Sequence, residues 1–117
     1  MKKDFEQVRI LIWDFDGTLY RPIPDLWHDV REAEYKTIMN HTGWTHEKTV
    51  EEFLKVYKVT VESATETAAV LSNITIAQAA VEMEAYFDRR DFVKRDEKLI
   101  ELFNKLKNFR HFILANG

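Results

Sequence analysis

The sequence predicts a mixed α/β chain in which two short parallel strands are separated by a long helical insertion. Three observations lead there. Val8–Trp13 is apolar except for Arg9 and stops abruptly at Asp14, as a parallel strand buried on both faces does. His111-Phe112-Ile113-Leu114-Ala115 is a second apolar run, ending at Asn116-Gly117. Between the two runs the apolar spacing is helical. A strand, a crossover and a parallel strand make a right-handed unit. A crossover of roughly ninety residues is too long for a simple connection and implies an inserted subdomain. The expected division is therefore a partial α/β core of residues 1–20 and 93–117, with an all-helical subdomain of residues 21–92.

Each helix has its own signals. Pro22 and Pro24 punctuate the exit from the first strand, and proline suits a first helical position, so a helix is expected from about Pro24-Asp25. Its buried side is expected to hold Leu26, Val30, Ala33 and Ile38 with Trp27 and Tyr35, and Gly43 is its stop signal. Thr45 is placed to cap a second helix with Val50, Phe53, Leu54 and Tyr57 at helical spacing. A third piece covers Ser63–Leu71. Thr75 with Gln78 reads as a capping box opening a helix through Ala79, Ala80, Met83 and Phe87. Asp96 caps the last helix, with Leu99, Ile100, Leu102, Phe103 and Leu106 on one side. Lys105 and Lys107 suit its C-terminal dipole.

Composition narrows the function classes. The 117 residues suit one compact domain by length. The hydrophobic fraction of 45% and charged fraction of 32% are those of a soluble globular chain. A net charge of −3 gives no reason to expect binding to nucleic acid or an anionic membrane. There is no cysteine, which excludes disulfides, thiolate catalysis and cysteine-based zinc sites. No apolar run approaches the roughly 18 residues of a membrane span, and the first apolar run is too short for a signal peptide. A cytoplasmic location is the simplest expectation. His41 and His46 flank a turn, where capping or surface roles are expected rather than a two-histidine metal site. Trp27, Trp44, Tyr35 and Tyr57 are expected in ordinary helix packing rather than lining a cavity.

The chemistry is concentrated in Asp14-Phe15-Asp16-Gly17-Thr18. Two carboxylates, one residue apart, stand at the end of an apolar strand. Burying them costs several kcal/mol, of the order of a lost charge partner each, unless a cation or a chemical role compensates. In open α/β sheets, ligands sit beyond the carboxyl ends of the strands, and the second run delivers Ala115-Asn116-Gly117 to that same edge. Carboxylates can attack phosphoryl groups covalently. Phosphoryl transfer needs positioning and charge neutralisation, which a hard, oxygen-bound Mg²⁺ supplies. Gly17 permits a tight turn and close approach to an anion, and Thr18 adds a hydroxyl and a backbone N–H.

This run resembles the first signature motif of the haloacid dehalogenase (HAD) superfamily in its phosphatase form, Asp-x-Asp-Gly-Thr. The dehalogenase branch generally lacks the second aspartate. The resemblance implies a partial Rossmann-like HAD core with an α-helical cap inserted after the first motif. It implies Asp14 as the nucleophile and Asp16 as the acid and base. It also implies Mg²⁺ held by Asp14 and by Asp16 through its backbone carbonyl, and phosphate contacts at Gly17, Thr18, Asn116 and Gly117. The implied activity is hydrolysis of a small phosphorylated metabolite through an aspartyl-phosphate. Phe112–Gly117 is similar to the family's second motif except that Ala115 stands where a Thr or Ser hydroxyl is expected. Losing one hydrogen bond to a charged phosphoryl group costs about 1.5–3 kcal/mol. The family's later basic and acidic motifs follow the second in chain order, so the chain is expected to be the N-terminal part of a longer enzyme, inactive alone. The alternative is a non-catalytic interaction or scaffold module. A first strand open on one edge would also favour self-association.

Overall fold

The computed structural model describes residues 6–115. Asn116 and Gly117, expected at the phosphate, lie outside the described residues. Among those described, the chain is mixed α/β, in the order β1 (Ile10–Asp14), α1 (Pro24–Thr42), α2 (His46–Tyr57), α3 (Ala64–Ser72), α4 (Ile76–Glu84), a 3-10 turn (Arg89–Asp91), α5 (Glu97–Lys105) and β2 (Arg110–Leu114). No helix among them is long and apolar enough to cross a membrane. The chain divides into two compact units, one of residues 6–22 and 93–115, the other of residues 23–92.

In the first unit β1 and β2 pair in parallel, with Ile10 opposite Arg110 and Asp14 opposite Leu114. The two strands therefore end at the same edge. One face carries Leu11, Trp13 and His111, against which α5 sets Phe103, its ring 5.2 Å from both Trp13 and His111. Asp96 starts α5 by accepting from the backbone N–H of Lys98 and Leu99 at 2.9 and 3.3 Å, the capping chemistry expected of it. The expectation of a strand buried on both faces is corrected: β1 alternates, and Ile10 and Ile12 are exposed, Ile12 by 68%. On β2, Ile113 and Leu114 are exposed by 60% and 69%. A continuous apolar run has the same appearance whether one or both faces are covered.

The second unit is helical. Pro24 occupies the first turn of α1, which has no side-chain cap, and Gly43 ends it at φ +73° with its N–H donating to Met39 O at 2.8 Å. Thr45 and Thr75 accept from the N–H groups of Lys48 and Gln78. The reciprocal half of the box at Thr75 is replaced, because the Gln78 side chain donates to Glu82. Helix α1 packs against α2, α3 and α4. Ala33, Tyr35, Ile38, Phe53, Ala68, Ala69, Ala79 and Met83 form the core. The alanines let α3 and α4 approach closely, and Phe53 fills the centre with Tyr35 edge-on and Tyr57 stacked. Buried Thr37, Thr49 and Thr67 satisfy their hydroxyls by donating to the carbonyl four residues earlier.

Three placements differ from the spacing argument. Trp27 and Leu54, expected inward, are exposed, and α4 ends at Glu84, short of Phe87. The inward position that spacing missed is Glu34, 3% exposed, with Arg31 Nε 2.8 Å from its Oε2. That N–H does not point at the oxygen, so Oε2 has no hydrogen bond.

Candidate active site at the end of the first strand

Asp14 is the last residue of β1 and is exposed; Asp16 is half-buried in the turn that follows. The Phe15 carbonyl accepts from the N–H groups of Thr18 and Leu19 at 3.1 and 3.0 Å. These bonds close one helix-like turn, and residues four apart then fall on the same side. Two hydroxyls are brought onto the two carboxylates as a result. Thr18 Oγ1 donates to Asp14 Oδ2 at 3.1 Å, and the Tyr20 hydroxyl donates to Asp16 Oδ1. Gly17 sits at φ +76°, while a Cβ there would meet only Pro22 Cγ at an ordinary 3.8 Å. Backbone conformation, not space, calls for glycine.

The strand end is held from beneath. Trp13 Nε1 donates to His111 Nδ1 at 3.0 Å, and His111 Nε2 lies 2.9 Å from Leu106 O. The indole can only donate and the carbonyl can only accept, so the pair of bonds fixes the neutral imidazole with its proton on Nε2. His111, on β2, thus links the C-terminal end of α5 to Trp13, the residue before the first carboxylate.

Of the residues expected at the site, Asp14, Asp16, Gly17 and Thr18 share this one turn. Ala115 follows Leu114, the partner of Asp14, and is exposed. Tyr20 was not anticipated. The signal was present as two pairs at i,i+4 spacing, Asp14/Thr18 and Asp16/Tyr20. His41 and His46 make separate pairs, with Glu82 at 2.5 Å and Glu32 at 3.1 Å.

Among the described residues no group of three or more His, Asp or Glu side chains is placed to hold a metal ion. Asp14 and Asp16 offer only oxygen donors. Mg²⁺ characteristically takes one or two carboxylates and completes its shell with water and substrate phosphate. The donor set suits that kind of cation rather than one caged by protein.

No family model matches this chain, and neither a curated protein nor a solved structure matches it.

Proposed function

We propose that this sequence carries the nucleophile segment of a Mg²⁺-dependent phosphate monoester hydrolase of the HAD kind, acting on small phosphorylated metabolites in the cytoplasm. The observation that carries the proposal is the pair of carboxylates at the carboxyl end of β1, each accepting from a hydroxyl four residues on. In this reading residues 6–22 and 93–115 belong to the catalytic core, and the helical residues 23–92 are the cap that shapes substrate choice.

The Asp14 carboxylate forms an O–P bond as the P–O bond to the leaving group breaks, and Asp16 gives its proton to the leaving oxygen. Water then attacks phosphorus, Asp16 takes the water's proton, and the bond to Asp14 breaks to release phosphate. Asp14 through its carboxylate and Asp16 through its backbone carbonyl would hold Mg²⁺, which would supply charge neutralisation at the phosphoryl group. Thr18 is engaged twice, its hydroxyl with Asp14 Oδ2 and its N–H with the Phe15 carbonyl, so its hydroxyl serves to orient the nucleophile, and the Gly17 N–H is the phosphate contact of this proposal in the turn.

The test is hydrolysis of p-nitrophenyl phosphate and a panel of small phosphate esters by the full-length protein carrying this sequence. Expected is activity that requires Mg²⁺ and disappears in Asp14→Asn. A protein folded by circular dichroism yet inactive on every ester would refute the proposal. It would favour the second reading, a non-catalytic interaction module, which Ala115 and the exposed Ile12, Ile113 and Leu114 support.

A further inference from the structure

His111 joins two elements through its two ring nitrogens. Trp13 Nε1, on β1, donates to Nδ1 at 3.0 Å, and Nε2 donates to Leu106 O, at the end of α5, at 2.9 Å. The ring is half-buried, edge-on to Phe103 at 5.2 Å and nearly parallel to Trp13 at 6.2 Å. The two bonds depend differently on the charge of the ring. The bond to Leu106 needs a proton on Nε2, which this tautomer and the imidazolium both carry. The bond from Trp13 needs a lone pair on Nδ1, which exists only while the ring is neutral.

We propose that His111 is a one-proton latch beneath the strand end that carries Asp14: neutral, it joins Trp13 to α5, and protonated, it keeps α5 and releases Trp13. A proton taken from water by Nδ1 sets two N–H donors against each other, so the indole bond is lost. The bond to Leu106 becomes charge-assisted and lies at a helix C-terminus, where a cation is favoured. Release is therefore one-sided. Charged side chains of the packed elements are turned elsewhere. Glu97, Lys98, Glu101 and Lys105 of α5 and Lys107 beyond it are exposed. Asp14 falls on the other face of the strand from Trp13 by alternation. Arg9 donates to the carbonyls of Glu6 and Val8, and Arg110 lies over the Phe112 ring at 5.7 Å. Histidine is the side chain that ordinarily changes charge between about pH 5 and 8, so mild acid is the signal. The latch lies wholly within the strand-bearing unit and does not depend on any activity of the site.

The experiment is an NMR titration of the full-length protein, labelled with ¹⁵N at tryptophan and histidine, from about pH 8 to about pH 5. The Trp13 indole signal is assigned by its loss in Trp13→Phe. At the upper end the His111 ring should show its proton on Nε2. As pH falls, the Trp13 indole signal should move with the same midpoint as the His111 ring. Solvent exchange of the Trp13 indole proton, taken relative to that of the exposed Trp27, should speed by about fivefold as one hydrogen bond is lost. In His111→Phe, which keeps an aromatic ring against Phe103, the Trp13 signal should no longer follow pH. The wild-type titration decides the matter by itself should that variant fail to fold. A His111 ring that carries its proton on Nδ1 at the upper end, or stays neutral to the lower end, overturns the latch. So does a Trp13 indole whose signal and relative exchange are unchanged while His111 titrates. None of these readings uses catalysis, so failure of the latch leaves the phosphatase reading standing, and an inactive protein leaves the latch testable.

Discussion

Replacing Glu34 by glutamine removes a charge that the helical unit bears at a measurable cost. Glu34 is almost fully buried and its carboxyl is pushed up from 4.5 to about 7, first by burial, which the nearby Arg31 guanidinium only partly offsets. Arg31 is itself held over the Phe53 and Tyr57 rings at 4.7 and 5.0 Å, and its Nε–H is not aimed at the carboxylate. Because the folded-state value is raised, the folded chain holds this proton more tightly than the unfolded chain. The contribution to stability is fully present below the unfolded value and is lost as pH rises through about 7. At about 1.4 kcal/mol for each pKa unit, the full loss is on the order of 3 kcal/mol, of which about 2–3 falls between about pH 5 and about pH 8. The assay is urea unfolding followed by far-UV circular dichroism across that range, on wild type and Glu34→Gln. The wild type should lose about 2–3 kcal/mol more than the variant between the two ends. The difference between the proteins is the readout, because the His41–Glu82 and His46–Glu32 pairs are common to both. Parallel profiles would show that Glu34 is not ionising in a buried site, and the reasoning would fail.

Two other outcomes can be checked by similar means. Phe53→Ala empties the centre of the helical core and removes ring contacts to Tyr35, Tyr57 and Arg31; the unfolding free energy should drop by about 3–5 kcal/mol, and a drop below about 1 kcal/mol would mean that the cluster is not a cooperative core. Ala115→Thr introduces a hydroxyl beyond the strand position paired with Asp14; if the proposed chemistry holds, kcat/KM of the full-length protein should rise about tenfold or more, and no change would show that the phosphoryl group does not rely on a hydroxyl there.

Much of the helical unit was legible because its signals are local. Gly43 marks a left-handed stop, Thr45, Thr75 and Asp96 offer oxygens to the first turns of their helices, and Leu26, Ala33 and Ile38 share one buried stripe. Glu34 was not legible, although it stands four residues before Ile38 on that stripe, because a charged residue reads as solvent-facing. Trp27 and Leu54 failed in the opposite sense. Both are apolar and within helical register of buried neighbours, yet periodicity specifies a face without saying how wide the partner covering it is. The strands failed for a related reason. Sequence marks Ile12, Ile113 and Leu114 as apolar but cannot say what lies against them. At the candidate site the carboxylates were legible as a pattern, whereas the hydroxyl of Tyr20 required the turn closed by the Phe15 carbonyl, which appears only when the chain is folded.

Stability and the proposed chemistry are carried by different parts of this chain. Every fully buried residue among those described lies between Leu26 and Met83, in the helical unit, while Asp14, Asp16, Gly17 and Thr18 lie on the strand-bearing unit, exposed or half-buried. Substitutions at buried positions act through cavities and desolvation, and so lower activity only by lowering the amount of folded protein. Asp14→Asn removes a charge from an exposed strand end and leaves an amide that can still accept from Thr18, so its effect on folding should be small. Activity lost in Asp14→Asn with the helical unfolding transition unchanged therefore speaks to chemistry alone. The same comparison made at Phe53 speaks to folding alone. The separation makes the carboxylate turn a fair place to test function in this chain: a change there can be read without first correcting for a damaged core.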